Sequence, residues 1–588
     1  MVKKMVSIVI GIFISFASLI GANENNNYTG RNPIPIIASM QTAQPVWAKH
    51  GMVVSVNRLA TQVGVDILKQ GGNAVDAAVA VGFALAVTYP RAGNLGGGGF
   101  MLIHLSANQQ NKQVAKTIAI DYREMAPNKA QKDMFLNANG KVIKNRSLFH
   151  GASSGVPGSV MGMALALKNY GSLPLSLVIQ PAIELAEKGF VVSYDFSGSL
   201  ENKKQRLQKW ASSKKVFYHK DGSSYQPGEQ FIQGDLAKTL KLIAKQGSAG
   251  FYRGEVAHKV VDSIQQAGGI MSLEDLTKYQ AIIRKPVSTN YRGYQVYSMP
   301  PPSSGGIHLI QLLNILENSD RRALGHNTAA SIHQMTEAMK YVYADRSEYL
   351  GDSDFYPVPQ KALLSKAYAK QIYNNISADK IVPSEAIKPG HLAPYESNQT
   401  THYSVIDRWG NSVSTTTTLN FSYGSGLVAE GTGVLMNNEM DDFSSKPGVP
   451  NAYGLLGGKA NAIAAGKRPL SAMTPSIVLK QGKPFLVTGS PGGSRIITTT
   501  LQIILNVIDH QMNIAEATNA SRVHHQWYPD EIRVEKGLSQ DTISLLKAMG
   551  HPIVVKSAMG STQSIMVTEQ GYWGAADPRS RDAQAAGY

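Results

Sequence analysis

Apolar and polar positions recur along this chain with two different periods, and the switch between them locates the elements. Gly51-Met52-Val53-Val54-Ser55-Val56 is a short apolar run of strand character. Ala60 to Gln70 repeats at helical spacing and is closed by Gly71-Gly72. Asn73 is placed to cap a second helix, Ala74 to Val87, which is apolar on almost every side and therefore predicted to be buried all round. Leu95 to Phe100 reads as a glycine turn leading into a strand from Met101 to Leu105, and Thr117 to Arg123 reads as a further strand with a charged end. From about Ser159 to Asp345 the pattern is mostly helical, with polar connectors around Glu201 to Lys215. Ala362 to Gln399 reads as helix and then a loop holding Pro383, Pro389 and Pro394. There the period changes. Thr401 to Asp407 and Ser412 to Leu419, rich in β-branched residues, are predicted strands on either side of the turn Arg408 to Asn411. Strands near both ends with long helices between them predict sheets covered by helices, an α/β fold.

The N-terminus adds a compartment. Lys3 and Lys4 precede an apolar run from Met5 to Ile20, with Gly21-Ala22 before polar Asn23-Glu24-Asn25. A basic start, an apolar stretch and a small-residue exit describe a secretory signal peptide over residues 1–22, with the mature protein exported to a periplasm or beyond the cell. The run is short for a membrane span, and no later segment is continuously apolar for long enough. With 588 residues, 43% hydrophobic and 17% charged, the chain has ample core for a globular protein. It contains no cysteine, which excludes disulfides, a cysteine nucleophile and thiolate-held metals. The net charge of +16 is scattered, in pairs such as Lys203-Lys204, and forms no basic stripe that would point to nucleic acid.

Four segments of the last third carry candidate chemistry. Thr400 stands where the polar loop Glu396 to Gln399 meets a strand. A threonine there becomes an N-terminal nucleophile if the Gln399–Thr400 bond breaks, because its new α-amino group, with an ordinary pKa of roughly 7.7–8.0, is a base poised near neutrality. Gly489 to Arg495, between strand-like Pro484 to Thr488 and an apolar helix from Ile496 to Val507, offers backbone N–H groups suited to an anion or oxyanion. It lacks the spacing of a phosphate loop. Glu439, Asp441 and Asp442, flanked by Leu435, Met436 and Phe443, fit a metal ion, an ammonium group or water. Lys467 to Pro475 is a rigid turn whose hydroxyls can face a ligand. His524-His525 suits a structural role, since adjacent side chains on a strand point apart.

The order and spacing of these segments resemble the γ-glutamyltranspeptidases of the N-terminal-nucleophile hydrolase superfamily. The resemblance spans nearly the whole mature chain through Gly72–Ala78, Asn94–Phe100, Asp121–Pro127, Pro300–Gly306, Thr400–Val405, Leu419-Asn420 and Asp577–Ser580. It implies a four-layer αββα sandwich built by two fragments of one precursor, a large one from 23–399 and a small one from 400–588. It implies that Thr400 attacks first its own preceding carbonyl and then the γ-carbonyl of a γ-glutamyl donor, such as glutathione or glutamine, passing the group to water, an amino acid or a peptide. In that family Thr418 would orient the Thr400 hydroxyl, and the Gly492 and Gly493 N–H groups would form the oxyanion hole. Arg123 and Ser471 would hold the substrate carboxylate, while Asn420, Glu439 and Asp442 would hold its ammonium group. Tyr453, in a lid from Pro447 to Gly458, would cover the site, and Asp577 to Ser580 would be structural. No metal or organic cofactor, no nucleic acid and no lasting membrane insertion is implied. One departure stands out: Ala472 follows Ser471 where the family usually has a second serine.

Three rival readings start from residues too. An acylase for glutaryl side chains has no use for acids that bind an α-amino group. A serine esterase is offered by Gly151-Ala152-Ser153-Ser154-Gly155, which fits G-x-S-x-G but follows a poor strand. A binding protein for amino acids or peptides would keep a two-sign pocket without any reason to cut at Gln399.

Overall fold

The computed structural model describes residues 43–107, 114–388, 400–446 and 458–588. The signal segment, Gln399 and Tyr453 with its lid loop lie outside the described residues. Within them, alternation along strand Gly98–Leu105 sets the architecture. Phe100 and Leu102 enter one buried cluster, Met101 and Ile103 another. A strand buried on both faces needs a layer on each side.

One sheet runs in the order Gln584–Gly587, Met52–Ser55, Thr401–Ile406, Ser412–Thr418, Gly98–Leu105, Lys116–Tyr122, Ile282–Arg284. The other runs Val46–Ala48, Gly571–Ala576, Gln563–Thr568, Lys483–Thr488, Ser476–Lys480, Tyr294–Ser298, Val287–Tyr291. Met52, Phe100 and Leu102 from the first meet Ile477, Val487 and Ile565 from the second, so the sheets pack face to face. The outer side of the first sheet, with Val53, Met101 and Val405, is covered by helices including Ala74–Thr88. The outer side of the second, with Val296, Val478 and Leu486, is covered by Gly305–Leu316, Ala329–Tyr349 and Arg495–Ile508. The result is the four-layer αββα sandwich. Every residue of Ala74–Thr88 is buried, as its all-round apolar pattern predicts. Asn73 caps it in a reciprocal box: its side chain accepts from the Val75 and Asp76 N–H groups, and Asp76 Oδ2 accepts from the Asn73 N–H at 2.8 Å.

Three expectations need correction. The glycine run expected as a turn enters the sheet, with the strand starting at Gly98. The cause is close backbone approach: a Cβ on Gly97 would lie 2.1 Å from the Thr418 carbonyl oxygen, and one on Gly98 2.5 Å from that of Tyr122. The mostly helical middle also contains the small pair Phe190–Val191 and Gln230–Phe231 and, edging both large sheets, Ile282–Arg284, Val287–Tyr291 and Tyr294–Ser298. They are short, and a turn at Arg292-Gly293 interrupts their two-residue period. The polar connector around Glu201 to Lys215 is instead helix over Tyr194–Leu207 and Ala211–Phe217. In the first of these helices the buried apolar stripe is only Phe196, Leu200 and Leu207, and the solvated lysines outweigh it in sequence.

The C-terminal Asp577 lies fully buried where the second sheet meets helix Ile514–Asn519. It accepts from Arg522 Nη2 at 2.5 Å, from the Thr562 N–H at 2.8 Å and from the Arg579 N–H at 3.0 Å. Burial works against its ionised form, yet Arg522 and Arg579 outweigh burial and hold its pKa below the usual carboxylate range. Asp577→Asn strands the Arg522 charge in the core, and we expect a loss of about 3–5 kcal/mol in denaturant unfolding. Because the folded pKa is depressed, the parent's contribution from this group is complete above the ordinary carboxylate pKa and disappears as pH falls through the folded value, so the gap between parent and variant should close in acid.

Candidate active site

Register brings Thr400 to its neighbours. The ladder pairs Thr401 with Thr417, which sets Thr400 across from Thr418, and Thr418 pairs in turn with Gly98. Thr418 is held at both ends. Its Oγ1 accepts from the Asn420 N–H at 2.8 Å, and its carbonyl accepts from Asn94 Nδ2 at 2.8 Å. Asn94 is fixed by the Gly97 N–H and the Ser159 hydroxyl, both donating to its Oδ1. Thr400, Thr418, Arg123, Asn420, Glu439, Asp442, Ser471 and Gly493 all line one pocket with an empty volume of ≈ 330 Å³. The sequence scatters these residues over three hundred positions.

The glycine turn sits at the pocket edge. Gly492 and Gly493 have φ of +136° and +57°, conformations that side chains resist. Their carbonyls accept from the Arg495 and Ile496 N–H groups at 3.2 and 3.1 Å as helix Arg495–Ile508 begins. Their own N–H groups precede the helix start, the end suited to negative charge. Gly493 lines the pocket, and Gly492 stands one residue behind it.

The charged floor is tighter than the sequence implied. Arg123 is buried and spends all five of its N–H donors inside the protein. Nε reaches the Pro469 carbonyl at 3.1 Å. One terminal nitrogen reaches Glu439 Oε1 and, at 3.5 Å, Glu124 Oε2. The other reaches Asp442 Oδ2 at 2.5 Å and the Leu470 carbonyl at 3.3 Å. Thus the residue expected to hold a carboxylate already holds the acids expected to hold an ammonium group. Asp441 turns elsewhere and accepts from the Ser147 hydroxyl at 2.7 Å. Asn420, at φ +71°, donates from Nδ2 to the Asn438 carbonyl at 2.9 Å.

Glu124, Arg346, Ser303 and Ser304 were not singled out as site residues from sequence. Glu124 follows Arg123 directly, and its Oε2 shares the Arg123 Nη1 group with Glu439 Oε1. Burial pushes Glu124 up to about 7 and Glu439 well above the ordinary range, while Arg123 pulls both down. Two buried carboxyls beside one guanidinium both resist ionisation, because each disfavours charge on the other. Ser303 and Ser304 donate to the Met473 and Ser471 carbonyls, both at 2.7 Å, so Pro300–Gly306 braces the turn that carries Ser471 and Ala472. The signal for those serines was present in the motif, but nothing in it named the turn they hold.

Other candidates resolve into structural bonds. Ser153 lies in the single 3₁₀ turn Gly151–Ser153 and donates to the His150 carbonyl at 2.6 Å, not in a strand-to-helix elbow. His524 pairs with Thr498 and Gln526, and His525 with Asp530. His333, Glu337 and His551 converge in the core, but His333 Nδ1 meets His551 Nε2 at 2.7 Å and the Lys340 ammonium group lies 2.9 Å from Glu337, so the cluster is internally paired.

The family profile described as gamma-glutamyltranspeptidase matches residues 60–587. The chain belongs to the γ-glutamyltranspeptidase family. Over 545 residues it is 57% identical to the glutathione hydrolase proenzyme of Escherichia coli (strain K12), covering 92% of this chain and 93% of that one. Among solved structures it resembles the cephalosporin acylase of Bacillus halodurans, with TM-score 0.81 at 27% identity over 97% of this chain and 99% of that one. It also resembles a chain of Helicobacter pylori γ-glutamyltranspeptidase, with TM-score 0.55 at 49% identity over 57% of this chain and 93% of that one.

In this γ-glutamyltranspeptidase the Glu124 carboxyl has a pH signature. It stays protonated in the fold up to about 7, while the unfolded carboxyl loses its proton near 4.5. Its contribution is therefore full below the unfolded value and is lost as pH rises through the folded one. Glu124→Gln keeps the shape and removes the titration. The urea midpoint of the variant should decline less between about pH 5 and about pH 8 than the parent's. Parallel curves for the two proteins would contradict the raised Glu124 pKa.

Proposed function

We propose that this chain is an exported, autoprocessed γ-glutamyl transferase and glutathione hydrolase that works through a γ-glutamyl ester on Thr400. The observation that carries the reading is the Arg123–Asp442–Glu439 ion-pair cluster in the same pocket as Thr400. A γ-glutamyl group bears a carboxylate and an ammonium on one carbon. Such a zwitterion can enter the cluster by exchange, its carboxylate taking Arg123 and its ammonium taking Asp442 and Glu439. Each buried charge then keeps a partner, which avoids the several-kcal/mol penalty of stranding one. A glutaryl donor brings only the carboxylate and would leave both acids without their cation. That asymmetry favours γ-glutamyl donors over the acylase reading.

The chemistry follows from the geometry in two uses of one hydroxyl. In maturation Thr400 Oγ attacks the Gln399 carbonyl, the C–N bond breaks, and water releases residues 23–399 from residues 400–588. In turnover the freed α-amino group takes the hydroxyl proton as Oγ attacks the γ-carbonyl, with Thr418 orienting the attack. Developing negative charge on the carbonyl oxygen faces the Gly492 and Gly493 N–H groups. The leaving amine takes the proton, and water or an amino acceptor then cleaves the ester. Tyr453 would close over the bound donor. No step calls for a metal or organic cofactor.

Thr400→Ala should yield one uncut, inactive band on a denaturing gel where the parent gives two. The parent's small fragment should begin Thr-Thr-His-Tyr on sequencing. An alanine variant that still matures would end this reading. Ala472 tests the carboxylate side. It lines the pocket beside Ser471, as the missing second hydroxyl requires. Ala472→Ser should lower the donor KM by less than the about 1.5–3 kcal/mol of a full charged hydrogen bond, since water partly fills the role already. Because the contact exists before and during reaction, kcat should barely change. An unchanged KM would remove position 472 from carboxylate binding.

A further inference from the structure

Arg346 is the second guanidinium of the pocket, and its situation is the reverse of that of Arg123. It comes from the last turn of helix Ala329–Tyr349 and is buried to the same degree as the residues around it. Its Nε donates to Ser304 Oγ at 2.9 Å. Among the described residues no other hydrogen bond and no ion pair reaches it, while its side chain lines the pocket beside Asp442, Ser471 and Thr400. Burial lowers its pKa to about 10, Tyr343 and Asp442 partly offset that, and Arg123 adds to it, so it remains a cation at neutral pH. A buried guanidinium with donors left over is costly unless an anion arrives to use them.

The charges of the pocket point the same way. Three acids, Glu124, Glu439 and Asp442, meet the single guanidinium of Arg123. A substrate carboxylate entering that set would meet a surplus of negative charge. Arg346 removes the surplus. Its Nε anchor, Ser304, also grips the Ser471 carbonyl, so the guanidinium is held against the turn on which the substrate carboxylate is expected to rest.

We propose that Arg346 is a carboxylate-binding residue of this site, its free terminal donors taking the substrate α-carboxylate together with Arg123 and Ser471. The inference rests on the γ-glutamyl reading above. It also explains how Arg123, with every donor in use, can accept a carboxylate without first releasing both acids: the incoming anion gains two donors from Arg346 before the Arg123–Asp442 pair opens.

The test is a cycle between enzyme and substrate. Mature parent, Arg346→Lys and Arg346→Gln are assayed with a γ-glutamyl donor and with the same donor carrying an α-carboxamide in place of the carboxylate. The expected result is a KM for the carboxylate donor raised roughly 10- to 150-fold in Arg346→Gln, as for one lost charge-assisted bond. The carboxamide donor should change less than about threefold, and Arg346→Lys should restore part of the loss because charge survives without the planar fork. Should Arg346→Gln fail to mature, the comparison of the two donors on Arg346→Lys decides alone. Equal losses on both donors, or no loss on either, would overturn the role of Arg346. A parent that matures but does not turn over the γ-glutamyl donor would sink the functional reading and this one with it, an outcome read from the parent before any variant.

Discussion

The buried guanidinium of Arg123 is the constraint around which the rest of the site is arranged. It ends strand Lys116–Tyr122 and must satisfy five donors away from water. The acceptors come from three separate stretches: neighbouring Glu124, the 3₁₀ turn Glu439–Asp442, and the Pro469 and Leu470 carbonyls. Satisfying one residue therefore fixes the relative positions of segments more than three hundred residues apart. The same bonds leave Arg123 and its acids internally paired, so that a ligand must exchange with them rather than add to them.

Backbone contact supplies the second requirement. The glycines from Gly96 to Gly99 admit the Leu435, Thr418, Tyr122 and Thr416 carbonyls at distances where any Cβ would collide. Removing side chains there lets three segments meet, and it places Thr418, held by Asn94, in the pocket with Thr400. Pro300–Gly306 does comparable work on the far wall through Ser303 and Ser304. Of the two readings open to the glycine run in sequence, flexible or closely packed, the close packing is the one found.

The raised pKa values of buried Glu124 and Glu439 and the free donors of Arg346 complete the electrostatics. Three acids and two guanidiniums would be a heavy desolvation load if each stood alone. Resistance of the two glutamates to ionisation and the Arg123 pairs lighten it, and the Arg346 guanidinium is left facing the cavity. A pocket charged in this way selects for ligands that carry both signs close together.

Much of the fold was legible in the sequence because it follows from local pattern. The all-round apolar run Ala74 to Val87 announced a buried helix, Asn73 its cap, and the β-branched stretch after Thr400 its strand. Motif order named the family, and with it Thr400, Arg123, Asp442 and the glycine turn as site candidates. What local pattern lacked was pairing. Gly98 and Gly99 looked like a turn until the Tyr122 and Thr416 carbonyls stood beside them, and the short strands from Ile282 to Ser298 needed sheet partners to be strands at all. The pairing of Arg123 with the acids, the raised pKa values of Glu124 and Glu439, and the open donors of Arg346 were likewise decided by tertiary structure. Charge balance and burial depend on which residues meet in space, and a linear pattern records only which are neighbours along the chain.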